Sequence, residues 1–122
     1  VNQSIFDCTN LLVEVCYDAS MEAGWWTVDP KDSPLIVPTK LCLIHSEISE
    51  AMEAHRKGLV DSKLPHRSGI EVELADACIR IFDLAGALGL DLGGALAEKL
   101  EYNQKRADHK PENRAKVGGK AY

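Results

Sequence analysis

Glu47-Ile48-Ser49-Glu50 and Glu73-Leu74-Ala75-Asp76 each set two carboxylates three residues apart. On a helix that spacing puts both acids on one face. Like charges so placed repel, so helix stability alone gives little reason for them. If the two words meet, four carboxylates surround one point. Such a cluster would repel itself and hold a proton more readily than an isolated acid. A hard divalent cation, Mg²⁺ or alternatively Mn²⁺, would relieve the repulsion and bring ordered water. Water activated by a cation and a carboxylate is a nucleophile, and Mg²⁺ takes phosphate oxygens as its remaining ligands. The chemistry that follows is hydrolysis of a polyphosphate.

One acidic pair at this spacing means little, because Asp29/Asp32, Glu50/Glu53 and Glu98/Glu101 repeat it. For any of them a solvated helix face is the plain explanation. Glu73 and Asp76 differ in their surroundings, since they fall on the narrow polar arc of a mostly apolar segment. Arg80 and Asp83 share that arc, and an internal Arg80–carboxylate pair is the bland account of Arg80. Further on, Lys99, Asn103 and Arg106 recur at helical spacing and could hold phosphate oxygens. The alternative for them is a solvated basic face near a helix C-terminus, where the dipole favours cations. Trp25 and Trp26 could stack on a nucleobase, although core packing or a subunit contact is the plainer role. A di-iron carboxylate bundle would need Glu-x-x-His words, and no histidine follows a glutamate by three. There is no GxxxxGK[ST], GxGxxG or GxSxG motif.

The elements that must position these groups read as four helices and no strand. The first spans about Ser4–Ala23, with Ser4 as its cap, a Leu12/Val15/Cys16/Ala19 stripe and Gly24 as its stop. A loop with Asp29-Pro30 and Ser33-Pro34 leads to a second helix, opened by Pro38 and closed by Gly58. Leu41, Ile44, Ile48 and Met52 form its apolar stripe, and Glu47 and Glu50 lie opposite. The third helix, about Ser68–Leu88, is apolar on two arcs and polar on one. A helix of that kind is usually surrounded by protein. Gly89–Gly94 turns the chain into a fourth helix, about Ala95–Asp108. The fold class expected is therefore all-α, an antiparallel bundle of about four helices. Residues 1–110 form one helical domain, and residues 111–122 a basic, irregular tail.

The chain's 122 residues, 45% of them hydrophobic, suit one domain with one core. A net charge of −5 argues against a broad nucleic-acid footprint. No apolar run approaches the ~20 residues of a membrane span, and nothing resembles a signal peptide. Cys8, Cys16, Cys42 and Cys78 lack CxxC spacing and read as buried thiols in a reducing cytoplasm.

Taken together, Glu47-x-x-Glu50, Glu73-x-x-Asp76 and Lys99-x-x-x-Asn103-x-x-Arg106 resemble the MazG-like all-α nucleoside triphosphate pyrophosphohydrolases. The resemblance covers roughly Thr39–Asp108, and the closing Lys116-Val117-Gly118-Gly119-Lys120-Ala121-Tyr122 is similar to the tail of small members. It implies a Mg²⁺-dependent enzyme that splits an NTP or dNTP into the monophosphate and pyrophosphate, as in nucleotide-pool cleansing. It implies that Glu47, Glu50, Glu73 and Asp76 hold the metal, that Lys99, Asn103 and Arg106 hold phosphates, and that the chain forms a homodimer or homotetramer. Ser46 stands where many members carry an acid, which leaves the metal count open. The rival class is a non-catalytic nucleotide-binding or helical dimerisation module.

Overall fold

The computed structural model describes residues 1–122 and is all-α. Five helices follow one another: α1 (Gln3–Glu22), α2 (Ile36–Lys57), α3 (Gly69–Ala87), α4 (Leu92–Lys105) and α5 (Pro111–Arg114). Single 3₁₀ turns at Pro30–Asp32 and Ala107–His109 punctuate the connections. The chain divides into two compact units, residues 12–90 and residues 1–11 with 91–122.

Helix ends follow local capping chemistry, and this moves several expected boundaries. Asn2, not Ser4, caps α1, its side-chain oxygen accepting from the amides of Ser4 (3.0 Å) and Ile5 (3.3 Å). Helix α2 starts at Ile36, so Pro38 lies within its first turn, where a missing N–H is not needed. It closes at Gly58, which adopts φ 63°. There the Leu59 amide donates to Ala54 O (2.9 Å) and the Gly58 amide to His55 O (3.3 Å), a Schellman closure that needs the left-handed glycine. Ser68 and Glu71 form a reciprocal capping box at the start of α3. Helix α4 begins at Leu92 rather than Ala95, because side chains satisfy its first amides. Asp91 accepts from Gly94 (2.9 Å) and Asn10 from Gly93 (2.9 Å). The tail is not wholly irregular, since α5 forms behind Pro111.

Within residues 12–90, α2 and α3 make an antiparallel hairpin. Ala54 near the end of α2 meets Gly69 at the start of α3, and Glu47 further up α2 meets Arg80 further along α3. The interior is built from small side chains: Ala51, Ala54, Ala77 and Ala85 are buried, with Val13 and Leu84. Gly69 permits the close approach, because a Cβ there would sit 2.8 Å from the Ala54 Cβ and 3.1 Å from Leu59 O. Gly86 does the same for α1, lying against Tyr17.

The face of α2 turned inward is therefore Glu47–Ala51–Ala54, the reverse of the aliphatic stripe expected to seek cover. Ile48 (50% exposed) and Met52 (66%) stand outside, as does Leu41. Helix α3 is likewise uncovered at Leu74, Ile79 and Ile81. The physical reason is that Ala, Gly and one ion pair fit a tight hairpin where long aliphatics do not. The expectation of buried thiols also fails in this chain: Cys8, Cys42 and Cys78 are exposed, Cys16 is half-buried, and all four are free.

Candidate metal centre

The helix hairpin brings three of the four expected carboxylates to one point. Glu47 from α2 and Glu73 and Asp76 from α3 each offer a carboxylate oxygen, and these oxygens lie within 4.8 Å of one another. Glu50, one turn beyond Glu47, is exposed, and its charge helps to raise the proton affinity of Glu73. Glu50 and Glu73 also line a cavity of about 260 Å³, together with Leu59, Val60 and Asp61 of the α2–α3 loop. The loop is held in shape by Asp61, whose carboxylate accepts from the amides of Lys63 (2.9 Å) and Leu64 (2.7 Å). An isolated bridge between Val60 and Ser68 ties its two ends.

The acids differ in how they are held. Glu47 is buried, which by itself would favour its neutral form. Arg80 Nε donates to its Oε1 at 2.9 Å, and this hydrogen bond and the Arg80 charge help to outweigh burial and hold its pKa below the usual range. Glu73 goes the other way. Burial first, then the neighbouring Glu47 and Glu50, push its carboxyl up to about 7. Its Oε2 is buried with no hydrogen-bond partner. Asp76 is also raised, by burial and by the charges of Glu47 and Asp61, with Arg80 partly opposing.

An orphaned buried carboxylate oxygen beside two more acids is costly unless a proton or a cation answers it. The donors are all hard oxygens, a set suited to Mg²⁺ or Mn²⁺ rather than a thiophilic metal. The residues thus fit a divalent cation.

Two contributors lay outside the expected site. Asp61, in the loop between the two acidic words, acts on Asp76 through its charge, and its place between those words is the available signal. Arg80 lies on the polar arc of α3, and its carboxylate partner is Glu47 on the other helix.

The basic residues belong to the other unit. Lys99 places its amine 4.8 Å from the Tyr102 ring centre, and Asn103 keeps a buried, unpartnered Oδ1. Contrary to the expected helix running to Asp108 with Lys99, Asn103 and Arg106 on one face, α4 ends at Lys105 and Arg106 is extended. Its guanidinium grips Asp108 side-on, Nε–Oδ1 3.0 Å and Nη2–Oδ2 2.7 Å, and this lowers the Asp108 pKa to about 2. A cavity of about 480 Å³ within residues 107–120 has Asp108 as its one acid.

The two tryptophans part company. Trp25 is exposed. Trp26 donates from Nε1 to Asp83 Oδ1 (2.7 Å), and Lys40 covers one ring face at 4.5 Å. Asp83 also accepts from Ser20 (2.9 Å), so it clasps the end of α1 and the following loop to α3. Trp26 in this arrangement is an anchor with one face taken.

Comparison with known proteins gives no match among family models, curated proteins or solved structures.

Proposed function

We propose that this chain is a divalent-cation-dependent nucleoside triphosphate pyrophosphohydrolase of the MazG-like kind, converting an NTP or dNTP into its monophosphate and pyrophosphate. The observation that carries the reading is the Glu47–Glu73–Asp76 cluster with its unpartnered Glu73 Oε2. Glu47, Glu73 and Asp76, with Glu50 at the rim, would hold Mg²⁺ or Mn²⁺. Bound there, the cation supplies Lewis-acid stabilisation of phosphate charge and makes water more acidic.

The chain's own groups supply the rest. Arg80 keeps Glu47 ionised and oriented. Glu73, with its proton affinity near neutrality, is suited to accept a proton from an attacking water. In the balanced reaction the water oxygen joins the α-phosphorus, the bond to the bridging oxygen breaks, and pyrophosphate leaves. The cavity beside Glu50 and Glu73 is open to a small ligand. Lys99, Asn103 and Arg106 are the residues that the family resemblance assigns to phosphate oxygens, and Arg106 would have to exchange Asp108 for phosphate.

The uncovered aliphatics Leu41, Ile48, Met52, Leu74 and Ile81 favour assembly with further copies, as a homodimer or homotetramer. The same surface would serve a non-catalytic dimerisation module, which is the second reading. A panel of dNTPs and NTPs with Mg²⁺, followed by ³¹P NMR, separates the two. The enzyme gives monophosphate and pyrophosphate in equal amounts. A module binds without turnover.

A further inference from the structure

The guanidinium of Arg80 is only partly used. It makes one hydrogen bond to protein, from Nε to Glu47 Oε1 at 2.9 Å, and its side chain is 38% exposed. Two other arginines show what a saturated pair looks like in this chain. Arg56 grips Glu53 through Nε and Nη2 (3.1 and 3.0 Å), and Arg106 grips Asp108 in the same way. Both present the full fork to one carboxylate. Arg80 does not: neither of its Nη groups has a protein acceptor.

The surroundings give that free edge a purpose. Glu47, Glu73 and Asp76 cluster within 4.8 Å, and Glu50 and Asp61 act on the same group of acids. A polyphosphate approaching five carboxylates meets strong repulsion, which one divalent cation would offset only in part. Arg80 lies one helical turn beyond Asp76 on the same polar arc and pairs with one of the acids. Asp83, the next group on that arc, is already occupied by Ser20 and Trp26. Arg80 is thus the group on the arc with donors to spare, and two Nη donors match two phosphate oxygens.

We propose that Arg80 is a phosphate-binding residue of this site: its Nη groups take oxygens of the substrate's polyphosphate while Nε remains on Glu47. This rests on the pyrophosphohydrolase reading and adds a contact to it. The arrangement links the two halves of binding, since the same guanidinium that orients a metal-binding carboxylate also feels the anion.

The test uses inorganic pyrophosphate and Mn²⁺ as separate probes of the full chain. Calorimetry measures pyrophosphate binding with Mg²⁺ present, and electron paramagnetic resonance measures Mn²⁺ binding without any phosphate. Arg80→Gln should weaken pyrophosphate at least about tenfold, and by more than it weakens Mn²⁺, which loses only the orientation of Glu47. Arg80→Lys, which keeps a charge for Glu47 but loses the fork, should retain the fold and lie between the two. Equal pyrophosphate affinity in wild type and Arg80→Gln would overturn the proposal. So would parallel loss of pyrophosphate and Mn²⁺ in Arg80→Lys, which marks Arg80 as purely structural. Should wild type bind neither probe and turn over no dNTP, the functional reading itself fails and takes this one with it. Turnover with a KM indifferent to Arg80→Gln removes this proposal alone.

Discussion

Glu47 and Glu73 offer carboxylate oxygens within 4.8 Å of each other, yet their proton affinities diverge. Arg80 holds Glu47 below the usual range, whereas burial and two acidic neighbours raise Glu73 to about 7. Near neutrality Glu73 therefore holds a proton more readily than Glu47 does.

That proton has a consequence for stability. The ordinary glutamate value is 4.5, so between pH 4.5 and about 7 the folded chain binds more protons at Glu73 than the unfolded chain does. The stability this contributes is full below 4.5 and is lost as pH rises through about 7. Without divalent cations, Tm at pH 8 should fall below Tm at pH 5.5 by on the order of 5 °C. Mg²⁺ should recover the loss at pH 8, and Glu73→Gln should flatten the profile. Thermal melts in EDTA and in Mg²⁺ measure all three. A cation-free profile rising from pH 5.5 to 8 contradicts the assignment.

The α2–α3 contact that builds the cluster depends on Gly69. An added methyl would meet Ala54 Cβ at 2.8 Å and the Leu59 carbonyl at 3.1 Å. Because one obstacle is backbone, Gly69→Ala should destabilise the chain by about 1–3 kcal/mol. The expected signature is a lower midpoint in urea with little change in slope.

Asp83 accepts from both Ser20 and Trp26. Asparagine would keep one acceptor oxygen and lose the charge, so Asp83→Asn should cost about 1–3 kcal/mol. The Trp26 indole N–H should lose protection in hydrogen exchange. Unchanged protection in the variant would show that the indole is held by something other than this carboxylate.

Ile48 and Met52 stand uncovered on α2. If further copies cover them, Ile48→Lys should lower the oligomeric state by sedimentation at micromolar concentration, at little cost to the isolated fold. A wild-type chain that sediments as a monomer at high concentration argues against assembly through this face.

The helical class was readable because apolar residues recur at helical spacing and Gly24 and Gly58 mark helix ends. Both glycines adopt left-handed φ. The meeting of Glu47, Glu73 and Asp76 was suggested by two acidic words separated by one hairpin. Which face of α2 turned inward was not readable. An amphipathic wheel assigns the aliphatic side to the core, but the hairpin is lined by Ala51, Ala54, Ala77 and Gly69, and such small residues carry little weight on a hydropathy wheel. The Glu47–Arg80 pair joins positions 33 residues apart. Periodicity along one helix does not reach so far. The start of α4 escapes a local reading for a similar reason, since Asn10 supplies part of its cap from far back in the sequence.

Mg²⁺-dependent release of pyrophosphate from a dNTP panel, with Glu73→Gln beside wild type, bears most directly on the claim that this cluster is a catalytic centre. Wild type should release one pyrophosphate per nucleotide monophosphate, and Glu73→Gln should lower the rate by at least about a hundredfold while remaining folded. Release at the wild-type rate from Glu73→Gln, or no release by wild type from any nucleotide in the panel, would contradict it.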